Sequence, residues 1–442
     1  MTASIGMSRV HRWVAKAVPV TPMELGVVLW SFAYFFLLLA GYYVLRPLRD
    51  QMGIAGGVRN LPWMFTATFI ALLVAQPLYG GLVARLPRAR FIPVVYHFFT
   101  VNLALFWVLL ALHVGTVWVA RVFFVWVSVF NLFAVTVFWS FMADLFTSEQ
   151  GKRLFGFIGA GGTAGALLGP VVTIALSVPL GPVNLLLVAM AFLELAVLCV
   201  YRLERAARPG GEVRAAARAD APTEDARVGG SAFAAITELA TSPYLIGVAV
   251  WVSLLSFGGT FLYFQQAHIV STTIHNAALQ TRLFAAIDLG VGLLTLAMQS
   301  FVTARFLERF GVASAAAALP AVYVVAFAVL AFAPGLAAVV IFQILQRMMN
   351  FAISNPARQV FYTVVAREAK YKAKNLIDVV VFRGSDALYG WLFDLLQGLG
   401  LKLAAIAVCA IPAAVGWWVL SIVVGRSQER RAARQFGQPQ GR

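Results

Sequence analysis

The sequence predicts an all-α polytopic membrane protein of about twelve transmembrane helices in two six-helix halves, and three observations lead there. Of its 442 residues, 61% are hydrophobic and 12% charged, whereas a soluble domain is about half apolar and a quarter charged. The apolar residues form continuous runs, such as the stretch holding Phe35, Phe36, Leu37, Leu38 and Leu39, and not the alternating segments of a β-barrel. The basic residues gather in every second connection between runs. This composition excludes a water-soluble enzyme, a disordered chain and a disulfide scaffold.

The first run, 24–45, follows a basic segment holding Arg9, Arg12 and Lys16, which lacks the short apolar core and cleavage site of a signal peptide. Arg46, Arg49 and Asp50 close it. The second run, 61–84, is separated from the third, 91–112, by Arg85, Arg88 and Arg90. The fourth, 116–145, holds Arg121 and leads through Glu149, Lys152 and Arg153 to the fifth, 155–177. The glycine series from Gly159 to Gly165 lacks the Gly-Lys-Ser/Thr ending of a phosphate loop, so it reads as close helix packing. The sixth run, 182–201, carries Glu194 and completes an N-terminal bundle, 1–202.

A segment rich in Ala, Arg, Gly and Pro then reads as a cytoplasmic linker, 203–242. The second bundle, 243–425, contains runs at 243–264, 281–303, 311–332, 335–362, 376–397 and 401–424, and a basic tail, 426–442, follows. The halves resemble each other at an offset of about half the chain, which sets Glu149 against Glu368, Arg153 against Lys372 and Gly165 against Gly384. With the N-terminus inside, twenty-five of the 34 basic residues fall in cytoplasmic segments and five on the other side. Both termini are therefore expected in the cytoplasm of a bacterial inner membrane. The same count explains most of the net charge of +16 without nucleic acid.

Ionisable residues inside spans cost at least about 2.5 kcal/mol each on insertion scales, so each should face a partner or a water-filled path. They are Arg121, Glu194, Asp288, Arg347, Arg358, Arg383, Asp386 and Asp394. Four arginines and no lysine favour two-pronged binding of phosphate or carboxylate, and hence a small anionic substrate. Structural pairing competes with that role, through Arg383 with Asp386, three residues apart on one helical face, or Arg121 with Glu194. Tyr42 and Tyr362 lie near basic positions where they can stack on a base, and Asp288 and Glu194 are candidates for proton coupling. The five histidines lack metal-ligand spacing, and Cys199 and Cys409 read as core filling. No metal, cofactor or catalytic centre is expected, and the functional unit is expected to be a single chain.

Two six-helix halves joined by a cytoplasmic linker, with the basic loop Gly80-Gly81-Leu82-Val83-Ala84-Arg85-Leu86-Pro87-Arg88-Ala89-Arg90, resemble the major facilitator superfamily. Ala84 stands where that loop motif has an acid. The resemblance implies a substrate site near the bilayer midplane and transport by rocking of the halves. Three further segments together resemble the ATP/ADP antiporters: Tyr43 to Asp50; Pro356-Ala357-Arg358; and Lys372 to Val379 followed by Arg383. By that resemblance Arg49 and Arg358 take positions of nucleotide-recognising lysines, and Glu149 matches a family acid. The candidate binding residues are thus Arg46, Arg49, Arg347, Arg358, Tyr42 and Tyr362. The candidate gating or charge-pairing residues are Asp50, Arg85, Glu149, Arg153, Asp378, Arg383 and Asp386. A proton-coupled carrier of drugs, lipids or cell-wall fragments and a non-transporting scaffold are the alternatives.

Overall fold

A computed structural model describes residues 20–21, 24–85, 88–206, 239–365, 373–374 and 376–436, apart from the side chains of 79–80, 82–91 and 435–436. The side chain of Arg85 and most of the expected linker lie outside the described residues. The helices are α1 (Leu25–Ala55), α2 (Leu61–Arg85), α3 (Arg88–Ala111), α4 (Thr116–Leu145), α5 (Ser148–Leu176), α6 (Leu185–Ala206), α7 (Pro243–Thr273), α8 (Ala277–Phe301) and α9 (Thr303–Phe332). The tenth span is α10 (Leu336–Met349), a π turn (Asn350–Ser354) and α11 (Asn355–Phe361). The eleventh is a π segment (Leu376–Val381) followed by α12 (Phe382–Gly398), and the twelfth is α13 (Leu403–Phe436).

Among the described residues, 11 helices are long and apolar enough to cross a membrane. The chain is a multi-pass, all-α membrane protein. The expected run 376–397 is helical too but is not among the eleven, because Asp378, Arg383, Asp386 and Asp394 leave it too polar. Two other expectations shift. The first span does not end at residue 45, since α1 carries Arg46, Arg49 and Asp50 within a continuous helix to Ala55. The segment from 426 is not a separate tail, since α13 continues through it to Phe436.

The chain divides into two units. The first holds α1 to Met52, α2 from Val74, α3 to α6, and the opening of α8, Ala277–Ala286. Its α1 and α5 pack backbone against backbone: a Cβ at Gly161, Gly165 or Gly169 would meet the carbonyl oxygen of Phe32, Phe36 or Ala40. The glycine series is therefore a packing surface. Phe35 stacks on Phe138 at 4.0 Å between centroids beside it. Both helices begin with reciprocal caps. Thr147 accepts from the Gln150 amide and Gln150 from the Thr147 amide; Thr21 and Glu24 exchange the same bonds.

The second unit holds Gly53–Leu73, α7, α8 from Ile287, and the remaining spans. Its core is aromatic: Trp251 lies 6.0 Å from Trp417, which lies 5.6 Å from Tyr323. Ser421 accepts from Trp251 Nε1 at 2.8 Å. Trp391 of α12 meets the start of α2, donating to Thr66 at 3.0 Å.

Candidate functional site

Polar residues of the second unit meet near the middle of their spans. Asp288 lies eleven residues into α8 and Arg347 eleven into α10, about 16 Å from each helix start, in a hydrocarbon core about 30 Å thick. Their side chains meet at 2.6 Å, with Asp288 1% and Arg347 15% exposed. One turn of α10 continues the network. Gln346 accepts from the Tyr323 hydroxyl at 2.7 Å and donates to Gln343 at 2.8 Å.

Asp386, on α12, is held differently. Its Oδ1 accepts from Ser256 at 2.5 Å and Thr260 at 3.4 Å, both on α7. Its Oδ2 takes one nitrogen of Arg383 at 3.3 Å, and the Arg383 side chain is 42% exposed. Ser253 of α7 completes the patch, with Ser385 at 2.8 Å and Tyr389 at 3.1 Å. Tyr323 lies within the electrostatic reach of both Arg347 and Asp386, which places the two clusters in one neighbourhood. Part of the polarity of the eleventh span is thereby explained: Asp386 is turned toward the hydroxyls of α7.

A third cluster sits where the tenth and eleventh spans are irregular. Arg358 lies 3.6 Å from Asp378, and Lys374 donates to Gln359 at 2.7 Å with its amine 5.8 Å from the Tyr362 ring. Tyr362 is buried, and its hydroxyl has no hydrogen-bond partner among the described residues. Arg358 follows the first π stretch, Asn350–Ser354, by one turn, and Asp378 lies within the second, Leu376–Val381. Side chains fill the carbonyls that the first leaves open: Gln299 donates to Phe351 O at 3.2 Å and Thr303 to Ala352 O at 3.0 Å. Such π turns are rare and recur at functional sites.

In the first unit, Arg49 holds Asp50 at 2.7 Å and lies 5.0 Å above the Phe124 ring. Arg46 lies 5.7 Å from the Tyr43 ring, whose neighbour Tyr42 is buried edge-on against it. Arg46 and Arg49 sit about 32 and 36 Å along α1, in its last third. Arg153 meets Glu24 at 2.7 Å, and Gln150 donates to the same carboxylate at 2.9 Å. Burial pushes the Glu24 carboxyl up. The Thr21 amide, the Gln150 and Thr21 side chains and the Arg153 charge together outweigh it and hold the group below its ordinary value.

Several sequence expectations are redirected. Arg153 meets Glu24, while Glu149 is exposed in the first turn of α5. Glu194 meets His97 at 3.2 Å and not Arg121, whose guanidinium lies 4.6 Å from the Trp118 ring. Cys199 is buried, but Cys409 is exposed and so does not fill a core. Arg347 is the most tightly paired of the candidate binding arginines in the second unit and not a free cation. Sequence reasoning passed over Ser256, Thr260, Tyr323, Gln343 and Gln346. The available signal was two glutamines three residues apart inside an apolar run, and hydroxyls several turns deep in α7. Glu24 was visible as the fourth residue of a Thr-x-x-Glu capping box. Among the described residues no group of His, Cys, Asp and Glu is arranged to hold a metal ion.

The chain matches no protein-family model and no curated protein. Solved structures do share its fold. A point mutant of the nucleoside transporter NupG aligns with a TM-score of 0.61 at 15% identity, covering 92% of this chain and 99% of that one. A bacterial homologue of the iron transporter ferroportin, inward-facing, aligns at 0.62 and 12% identity, covering 91% and 98%. A bacterial homologue of the human lysosomal transporter Spinster, also inward-facing, aligns at 0.56 and 14% identity, covering 93% and 97%. The fold is that of facilitator-type membrane transporters.

Proposed function

We propose that this protein is a secondary transporter working by alternating access, and that its substrate is a small polar metabolite bearing an anionic group, of which nucleotides are one class. The fold supports the transporter reading, but structures of the same fold include a nucleoside transporter and a homologue of an iron transporter, so the fold does not single out a cargo. The substrate must therefore be argued from the site.

The observation that carries the anion is Arg383. It stands near mid-span, half exposed, and engages Asp386 through one nitrogen at 3.3 Å, which leaves further donors of its planar fork for a ligand. Arg347 is assigned the opposite role, buried and bound to Asp288, where it positions the helices around the site. Arg358 with Lys374 exceeds the local carboxylate, Asp378, by one positive charge and extends the attraction for an anion within the second unit. Tyr362 lies beside Arg358 and Lys374 but is buried, as is Tyr42 beside Arg46, so neither offers an open ring face to a base. An exchange mode follows if emptying an electropositive site and reorienting it is costly.

A second reading, proton-coupled transport, is favoured by Asp386, whose ion pair with Arg383 through Oδ2 is released when that oxygen takes a proton while Ser256 and Thr260 stay on Oδ1. The two separate in a thermal-shift screen of purified full-length protein against nucleotides, sugar phosphates and organic anions. A ligand of the folded state raises apparent stability by mass action. An anion that stabilises the wild type and not Arg383→Ala supports the first reading. Stabilisation by no anion, with uptake of an uncharged solute abolished by Asp386→Asn, supports the second.

A further inference from the structure

We propose that one face of the tenth span holds a file of ordered water molecules, running from the Arg347–Asp288 pair at mid-span to the end of the span beside Gln359. Arg347, Asn350, Ser354, Arg358 and Tyr362 recur every three or four residues, so they share that face. A step of four overshoots a turn of 3.6 residues, and the wider π turn between Asn350 and Ser354 corrects the drift. Each of the five carries a buried polar atom without a hydrogen-bond partner: Arg347 Nε, Asn350 Oδ1, Ser354 Oγ, Arg358 Nε and the Tyr362 hydroxyl. Across from them Asp378 Oδ1 is in the same state, 3.6 Å from Arg358 and so beyond hydrogen-bond reach. Tyr362 lies within the electrostatic reach of both.

Buried polar atoms are costly unless bonded to protein or to ordered water, and here they follow one another along a single face. Their chemistry selects water. The two guanidinium N–H groups only donate, the amide and carboxylate oxygens only accept, and the two hydroxyls do either. An anion would satisfy the donors and a cation the acceptors, whereas water serves both. Successive groups lie about 4.5–6 Å apart along the helix axis, the span of one molecule making two hydrogen bonds of about 2.8 Å. The neighbouring face is dry, since Ala352, Ile353 and Ala357 are buried against Ala315 of α9. At the end of the span the file meets solvent beside Gln359 and Thr363, both exposed. Arg347 and Arg358 put positive charge on it, which turns back protons and other cations. The file therefore hydrates the mid-span network without opening a proton leak, and it requires no particular substrate.

Radiolytic hydroxyl-radical footprinting of the full-length protein reads buried residues that touch water, and mass spectrometry locates each oxidised side chain. Cys199, buried at 3% exposure, is the dry reference within the same chain. The thiols introduced by Ser354→Cys and Asn350→Cys are expected to oxidise about tenfold faster than Cys199, and that of Ala352→Cys no faster. In the wild type, Tyr362, 1% exposed, is expected to oxidise about tenfold faster than Tyr34, which is 0% exposed and bonded to Tyr96. That comparison carries the test if a variant does not fold. Oxidation at positions 350 and 354 as slow as at Cys199 overturns the proposal. So does equal oxidation of Tyr362 and Tyr34, or a thiol in Ala352→Cys that reacts as fast as that in Ser354→Cys. None of these outcomes depends on whether an anion is transported.

Discussion

Arg347 and Arg383 bring the same guanidinium into the middle of the membrane, and their surroundings divide the work between them. Arg347→Ala takes the guanidinium away from Asp288, 1% exposed, and breaking such a buried pair costs about 3–5 kcal/mol. The expected result is a sharply lower unfolding temperature in detergent, largely restored in Asp288→Ala/Arg347→Ala. Arg383→Ala is expected to change stability by less than about 1 kcal/mol, because its pairing is partly solvent-exposed, while removing ligand stabilisation. Glu24 makes a pH prediction. Its folded-state value is depressed, so its contribution is complete above the ordinary carboxylate value, 4.5, and disappears as pH falls through the folded one. Thermal unfolding followed from about pH 7 down to about 3 should steepen in that acid window for the wild type and less so for Glu24→Gln. The arginines themselves were legible in the sequence, as was the Arg383–Asp386 spacing. The Asp288–Arg347 and Glu24–Arg153 pairs were not, because partners on different helices leave no mark in local spacing.

Helix by helix, small residues and local breaks set the geometry that holds these side chains. A Cβ at Gly165 would strike the Phe36 carbonyl, so α1 and α5 must separate to admit one. Gly159, on the same helix, has nothing within 4 Å of its Cβ position. Gly165→Leu should therefore abolish recovery of monodisperse protein, whereas Gly159→Ala should be neutral or stabilising by up to about 1 kcal/mol. At the other end of the chain, Gly311 takes a positive φ of 75° and breaks α9. The segment beyond it is capped by Glu429 of α13, which accepts from the Ala313 amide at 3.1 Å. Glu429→Ala should cost about 1 kcal/mol, read as a lowered unfolding temperature. Hydropathy made eleven of these spans plain. It could not reveal the π stretches around Arg358 and Asp378, which depend on side chains from α8 and α9 filling the carbonyls of the tenth span. Nor could it show that α13 outruns the membrane, since its last turns read only as a basic segment.

At the scale of the whole molecule, composition and periodicity determine the class of fold. Continuous apolar runs must satisfy their backbone internally, and helices crossing a bilayer do so. Fold alone does not set cargo, as a nucleoside transporter and a homologue of an iron transporter sharing this fold at 15% and 12% identity illustrate. The mid-span network balances its arginines against carboxylates, and within it Arg383 combines depth, exposure and a loose pairing. The account therefore rests on that residue facing the transported anion. Counterflow in proteoliposomes tests it most directly. Vesicles preloaded with an unlabelled anion that stabilises the protein should accumulate the labelled anion transiently with wild-type protein, and should do so at least about tenfold more slowly with folded Arg383→Ala. Equal counterflow by wild type and Arg383→Ala would contradict the account.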